Sequence, residues 1–238
     1  MTTRLTHLTS QLSNPNSNFN SQSSMASSDI HLYTTQTPNG IKISITLEEL
    51  GLPYTVHKID ISKNTQKEPW FLEINPNGRI PALTDTFTDG EKIRLFESGS
   101  IQQYLVERYD TEHKISYPRG TREYYEVNNW LFFLNAGVGP MQGQANHFSR
   151  YAPEHIEYGV KRYVNETRRL YGVLNTQLEK STSGYLVGEK CTIADIAHWG
   201  EVTSFSLSLT SPSLTPELGG RDVLTKFRMG HGGFLGRH

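Results

Sequence analysis

Asn75-Pro-Asn-Gly-Arg-Ile-Pro-Ala-Leu83, followed by Phe96-Glu-Ser-Gly-Ser-Ile101, is the stretch that decides how this chain folds. Asn77-Gly78 is a turn signal. Ile80-Pro81 breaks any helix and withholds one ladder N–H. Ala82-Leu83 then reads as a short buried strand. The proline has two readings. It is either a trans proline opening an edge strand or a cis proline in a tight turn that shows its backbone to a ligand. After Glu97-Ser98, Ile101, Leu105 and Val106 recur at helical spacing. A helix starting there aims free backbone N–H groups and a serine hydroxyl at an anion. Backbone pairing from one segment and a carboxylate pocket from the next suit a small, peptide-like, acidic ligand.

Upstream, Ile30 to Tyr33 and Tyr54 to Ile59 read as strands. Between them Ile41, Ile43, Ile45, Leu47 and Leu50 give a helix over 41–50 that Gly51 ends. Ser62 to Gln66 reads as polar loop, and Pro69 to Ile74 as a short helix or turn. After the Pro81 strand come a turn near Asp89-Gly90, a strand at Ile93 to Phe96 and a helix from Ser98 to about Tyr109. The order βαβ, then ββα, resembles the thioredoxin fold. The expected architecture is therefore an α/β thioredoxin-like domain over 29–112, a linker at 113–118 and an all-α domain over 119–200. In that second domain Trp130, Leu131, Phe133 and Leu134 lie on one helix. Tyr163, Thr167, Leu170, Tyr171, Leu174 and Leu178 share a face of another. Thr192-Ile-Ala-Asp195 is a capping box, with Asp195 where Glu or Gln is usual. It is read as capping a core helix, with no part in chemistry.

Composition bounds the remainder. The 238 residues carry 23 Lys+Arg against 24 Asp+Glu, a net charge of −1. That balance gives no charge-driven surface for nucleic acid or membrane, and no apolar run is long enough to span a bilayer. A single cysteine, Cys191, excludes an internal disulfide framework and fits a reducing, cytoplasmic compartment. Residues 1–28 are rich in Ser, Thr, Asn and Gln and read as disordered, since they bury too little to offset ordering entropy. His147, His155 and His198 show no ligand spacing, so no metal site is expected. Tyr33 lies inside the first strand and reads as buried.

"NPNGRIPAL" followed by "ESGSI", with "TPNG" at Thr37-Gly40 and "GPMQGQANHF" at Gly139-Phe148, resembles the glutathione transferases. Among them the chain is similar to the Nu-class bacterial enzymes and the fungal proteins related to the yeast nitrogen-catabolite repressor. The likeness runs from about Asp29 to Trp199. It implies glutathione as co-substrate, a small electrophile or a disulfide as second substrate, and a homodimer. It also implies contacts: Ile80, just ahead of the structural Pro81, pairs its backbone with the cysteinyl part of glutathione. Glu97 binds the γ-glutamyl amine and Ser98 its carboxylate. Gln66 holds the glycyl end, and Arg162 reaches the tripeptide from the helical domain.

The chemistry follows from an absence in the loop after the first strand. Thioredoxin folds place a reactive thiol there, but Thr37-Pro38-Asn39-Gly40 has none, so glutathione must bring the sulfur. The protein's task is to favour thiolate over thiol. Lowering a thiol from near 8.5 by about two units needs roughly 2.7 kcal/mol. A helix N-terminus offers about 0.3–2 kcal/mol, and one hydrogen bond to a charged acceptor roughly 1.5–3 kcal/mol. Asn39, at the N-terminus of the helix 41–50, supplies the amide, and Thr37 adds a hydroxyl. Two chemistries stay open: attack on an electrophile, or attack on a disulfide with a second glutathione resolving the mixed disulfide. A non-catalytic glutathione-binding regulator is the alternative reading, and an inactive splice or gene-model variant a further one.

After Gly200 the pattern changes. Phe205, Leu207 and Leu209 alternate with serines at strand-like spacing, and Pro212 and Pro216 break helices. The capped helix is therefore expected to lose its second half, leaving the helical domain incomplete and 201–238 an irregular tail. Gly200-Glu201-Val202 can be written GGT-GAG-GT, which contains a common intron start, so the tail reads as intron-derived, with a genuine isoform of divergent end as the competing reading.

Overall fold

The structure is a computed structural model, and it describes residues 29–208, with side chains through 202. The expected tail at 1–28 and residues 209–238, Leu209 among them, lie outside that range.

A four-stranded sheet carries the first domain. Strands β1 (His31–Thr34), β2 (Thr55–Lys58), β3 (Ala82–Thr86) and β4 (Lys92–Phe96) stand in the order β2-β1-β3-β4. β1 and β2 are parallel, joined across helix α1 (Pro38–Leu50). β3 returns antiparallel with Leu83 opposite Leu32, and β4 follows antiparallel with Leu95 opposite Leu83. Helix α2 (Pro69–Ile74) precedes β3, and α3 (Ser98–Tyr109) follows β4. This is the thioredoxin-like arrangement that the element order implies. Ile30, Leu32, Ile43, Leu47, Leu83, Ile101 and Leu105 form the core between the sheet and helices α1 and α3.

Helix α1 starts at Pro38, earlier than the apolar spacing indicates. Proline suits the first helical position, where its missing N–H would be unpaired anyway. Thr37 caps the helix, its Oγ1 accepting from the Gly40 N–H at 3.1 Å. Asn39 therefore sits inside the first turn. The polar segment 62–66 is also more ordered than a loop: Ile61–Lys63 and Thr65–Lys67 are short 3₁₀ turns. Tyr33 is half-buried, not buried. Its ring stacks on His57 at 4.6 Å and leans on Trp70 at 6.3 Å.

The second domain is helical. Helix α4 (Arg122–Phe133) runs without a break through a π turn at Leu134–Val138, helix α5 (Gly139–Asn146) and a second π turn at His147–Tyr151. Pro140 lacks an N–H and crowds the carbonyl four residues back, so the wide turn ahead of it accommodates the proline without ending the helix. Helices α6 (Glu157–Lys180) and α7 (Ile193–Ser208) complete the described domain. Leu131, Leu134, Val138, Leu170, Leu174, Ile193, Ala197 and Val202 pack its core, with Ile45 and Leu50 of α1 against it.

The strand-like reading of Phe205 and Leu207 is corrected here, because α7 is helical through Ser208. The reason is packing. Glu201 is 5% and Val202 2% exposed, so the turn after Gly200 is held in the domain interior, and that burial overrides a local alternation.

Candidate active site

Four segments converge on one cavity of about 560 Å³. The first turn of α1 contributes Asn39 and Lys42, and the 75–81 turn contributes Asn75, Asn77, Arg79, Ile80 and Pro81. The start of α3 adds Glu97 and Ser98, and the opposite wall comes from Leu134, Asn135, Pro140 and Gln144 beside the π turn.

The 75–81 turn is built by Asn75. It is 1% exposed, its Oδ1 accepts from the Asn77 N–H at 2.9 Å, and its Nδ2 donates to the Arg79 carbonyl at 2.7 Å. The Ile80–Pro81 bond is cis. β3 then starts at Ala82, leaving the Ile80 backbone on the cavity wall. Glu97 caps α3 from a positive φ of 70°. A non-glycine residue in such a region stores on the order of 1–3 kcal/mol and persists where its surroundings hold it. The Asn77 Nδ2 donates to Glu97 Oε1 at 3.5 Å. Ser98 is 6% exposed and opens α3, where unpaired backbone N–H groups favour an anion.

Asn39 is oriented from below. Lys42 Nζ donates to its Oδ1 at 2.6 Å, and Ser98 Oγ donates to the same oxygen at 3.5 Å. An ammonium has no acceptor, so the atom it touches is the amide oxygen. The Asn39 N–H donors are thereby left for the cavity. Thr37 does not line the cavity; its Oγ1 is engaged by Gly40. Gln66 and Arg162 also lie off the wall. Gln66 sits in the second 3₁₀ turn, and Arg162 is exposed on α6. Among the described residues no cluster of three His, Cys, Asp or Glu could hold a metal.

Behind Asn39 runs a buried polar chain that spacing alone does not reveal. Lys42 Nζ pairs with Glu201 Oε1 at 3.2 Å. Gln142 Nε2 donates to the Glu201 carbonyl at 3.0 Å and to its Oε2 at 3.2 Å, and Tyr171 OH donates to Gln142 Oε1. Burial lowers the Lys42 ammonium from its ordinary value, while the Glu201 carboxylate opposes that loss. Burial pushes the Tyr171 phenol well up, with Glu201 adding to it. The available signal for Lys42 was its position three residues after Asn39 on a helix; Glu201 gave none.

At the start of α7, Thr192 N–H and Oγ1 both donate to Asp195 Oδ2 at 2.9 Å, and Leu186 N–H donates to Oδ1 at 2.8 Å. Thr192 Oγ1 accepts from the Ala194 N–H at 3.2 Å. Burial nevertheless raises the Asp195 carboxyl to about 6. Three residues on, His198 is fully buried; its Nδ1 pairs with the Ala194 carbonyl at 2.9 Å, and burial lowers its imidazole to about 4.

Residues 28–107 match the glutathione S-transferase N-terminal domain, and residues 147–218 the glutathione S-transferase C-terminal domain. The second match extends past Gly200, where the likeness was expected to stop. The glutathione S-transferase-like protein gedE of Aspergillus terreus is 46% identical over 67% of this chain and 71% of its own. The disulfide-bond oxidoreductase YfcG of Escherichia coli is 46% identical over 74% of this chain and 80% of its own. A glutathione transferase homolog from Lodderomyces elongisporus, solved with two glutathione molecules per subunit, superposes with a TM-score of 0.76 at 46% identity. That superposition covers 84% of this chain and 91% of the other. This chain belongs to the glutathione S-transferase family of glutathione-dependent enzymes.

Proposed function

We propose that the chain reduces disulfides with glutathione, using a thiolate stabilised by the Asn39 amide. The observation that carries this reading is the fixed Asn39 side chain. Its oxygen is taken by Lys42 and Ser98, so its N–H donors face the cavity from the first turn of α1. The helix N-terminus adds to the same effect. Thr37 contributes from the cap position. The γ-glutamyl end binds at Glu97 and Ser98, the cysteinyl backbone pairs at Ile80, and Gln66 and Arg162 act from outside the cavity wall.

The bound thiolate attacks one sulfur of a disulfide. A mixed disulfide with glutathione forms, and the other sulfur leaves as a thiolate that takes a proton. A second glutathione thiolate attacks the mixed disulfide, giving glutathione disulfide and a second thiol. On the wall opposite the 75–81 turn, Asn135 and Gln144 favour a polar, peptide-like second substrate over an apolar electrophile. Similarity to a disulfide-bond oxidoreductase points the same way.

Turnover of hydroxyethyl disulfide that far exceeds conjugation of a chloronitrobenzene supports this reading. The reverse ratio assigns the chain to conjugation instead. Glutathione binding with neither turnover leaves a non-catalytic regulator. The same reading takes the chain as a homodimer, to be measured by sedimentation.

A further inference from the structure

We propose that Lys42 is a positioning residue for the reaction. It holds the Asn39 amide so that the N–H donors face the sulfur, and Glu201 of α7 holds Lys42 in turn. This rests on the reading of Asn39 as the thiolate's donor. The distances are 2.6 Å from Lys42 Nζ to Asn39 Oδ1 and 3.2 Å to Glu201 Oε1. All of the chain behind Asn39 is interior: Lys42, Gln142 and Tyr171 are each 1% exposed and Glu201 5%. The titratable groups facing Lys42 are Glu201 and His198 on α7 and, through Gln142, Tyr171 on α6.

Stability alone does not account for such a pair. Desolvating two charges costs about as much as their attraction returns, and apolar replacements of similar volume are often neutral or stabilising. Orientation does account for it. An asparagine amide rotates, and either end can face a ligand. A donor-only ammonium beneath it admits only the oxygen, which turns the N–H groups outward. Because Glu201 stands on α7, the thiolate site of the first domain is registered against the helical domain.

The test is a titration of glutathione bound to Asn39→Ala, Lys42→Met, the paired Lys42→Met/Glu201→Met and the triple variant, following thiolate absorbance against pH. The paired variant leaves no unpartnered buried charge and serves if Lys42→Met fails to fold. The expected result is a rise of about one pH unit, tenfold less thiolate below the pKa, with KM for glutathione unchanged below the bound pKa and kcat reduced. In the Asn39→Ala background the same pair should add nothing, because Lys42 then has nothing to orient. An unchanged titration in the paired variant, with Asn39→Ala still raised, overturns the role of Lys42 alone. An additive shift in the triple variant overturns it too, since Lys42 would then act on the sulfur by its own charge. An unchanged titration in Asn39→Ala removes the reading on which both rest.

Discussion

Gly200 of α7 crosses Pro38 of α1 so closely that a Cβ at Gly200 would lie 2.7 Å from the Pro38 carbonyl oxygen. The obstacle is backbone and does not move aside. That approach brings Glu201 to Lys42 and the helical domain to the first turn of α1. Gly200→Ala gains at most about 1 kcal/mol in helix propensity, against about 1–3 kcal/mol for overpacking. The expected outcome is a lower denaturant midpoint and reduced turnover. A more stable protein of unchanged activity would show that the crossing relaxes freely.

Ser98→Ala and Glu97→Gln should raise KM for glutathione and leave kcat nearly unchanged. Contacts to the γ-glutamyl end are the same in ground and transition states, so their loss is a loss of uniform binding. Glu97→Gly should separate strain from binding. At a φ of 70° the substitution relieves backbone strain, so the protein should gain about 1 kcal/mol or more while binding glutathione more weakly. Steady-state kinetics with a urea titration measures both. A fall in kcat at constant KM would place these residues in the chemistry instead.

Much of the first domain was legible because its signals are local. Alternation marks the strands, Gly51 ends α1, and the 75–81 turn carries its own asparagines and proline. The start of α1 was misjudged because the apolar spacing begins at Ile41, whereas the signals that set it are Thr37 as cap and Pro38 at the first position. Motif and turn chemistry single out Asn39, Ile80, Glu97 and Ser98, and the fold brings these four to one cavity. Lys42 and Glu201 were not legible, because 159 residues separate them and each looks like a solvated charge in isolation. The alternation over Phe205 and Leu207 misled for the same reason: burial of Glu201 and Val202 decides the helix, and no window around residue 205 contains that information.

Burial sets two opposed titrations side by side on α7. His198 falls from 6.5 to about 4, and Asp195 rises from 3.8 to about 6. Between about 4 and 6.5 the unfolded chain holds an imidazole proton that the native chain lacks, so His198 makes stability rise with pH. Between 3.8 and about 6 the native chain holds a carboxyl proton that the unfolded chain has released, so Asp195 makes stability fall with pH. Each effect is worth about 3 kcal/mol, and the two nearly cancel. Relative to wild type, His198→Phe should lose stability as pH rises through this window, and Asp195→Asn should gain it. Chemical denaturation across pH gives the difference curves. Parallel curves for all three proteins would contradict the burial of these groups.

Asn39, held by its oxygen, is proposed to stabilise the glutathione thiolate. The most direct measurement is the pH titration of thiolate absorbance for glutathione bound to wild type and to Asn39→Ala. The expected bound pKa is about one to two units higher in the variant, the span of a lost hydrogen bond to a charged acceptor of roughly 1.5–3 kcal/mol. Glutathione affinity measured below the bound pKa should be nearly unchanged, and turnover at neutral pH reduced in proportion to the thiolate lost. An unchanged pKa in the folded variant would contradict it.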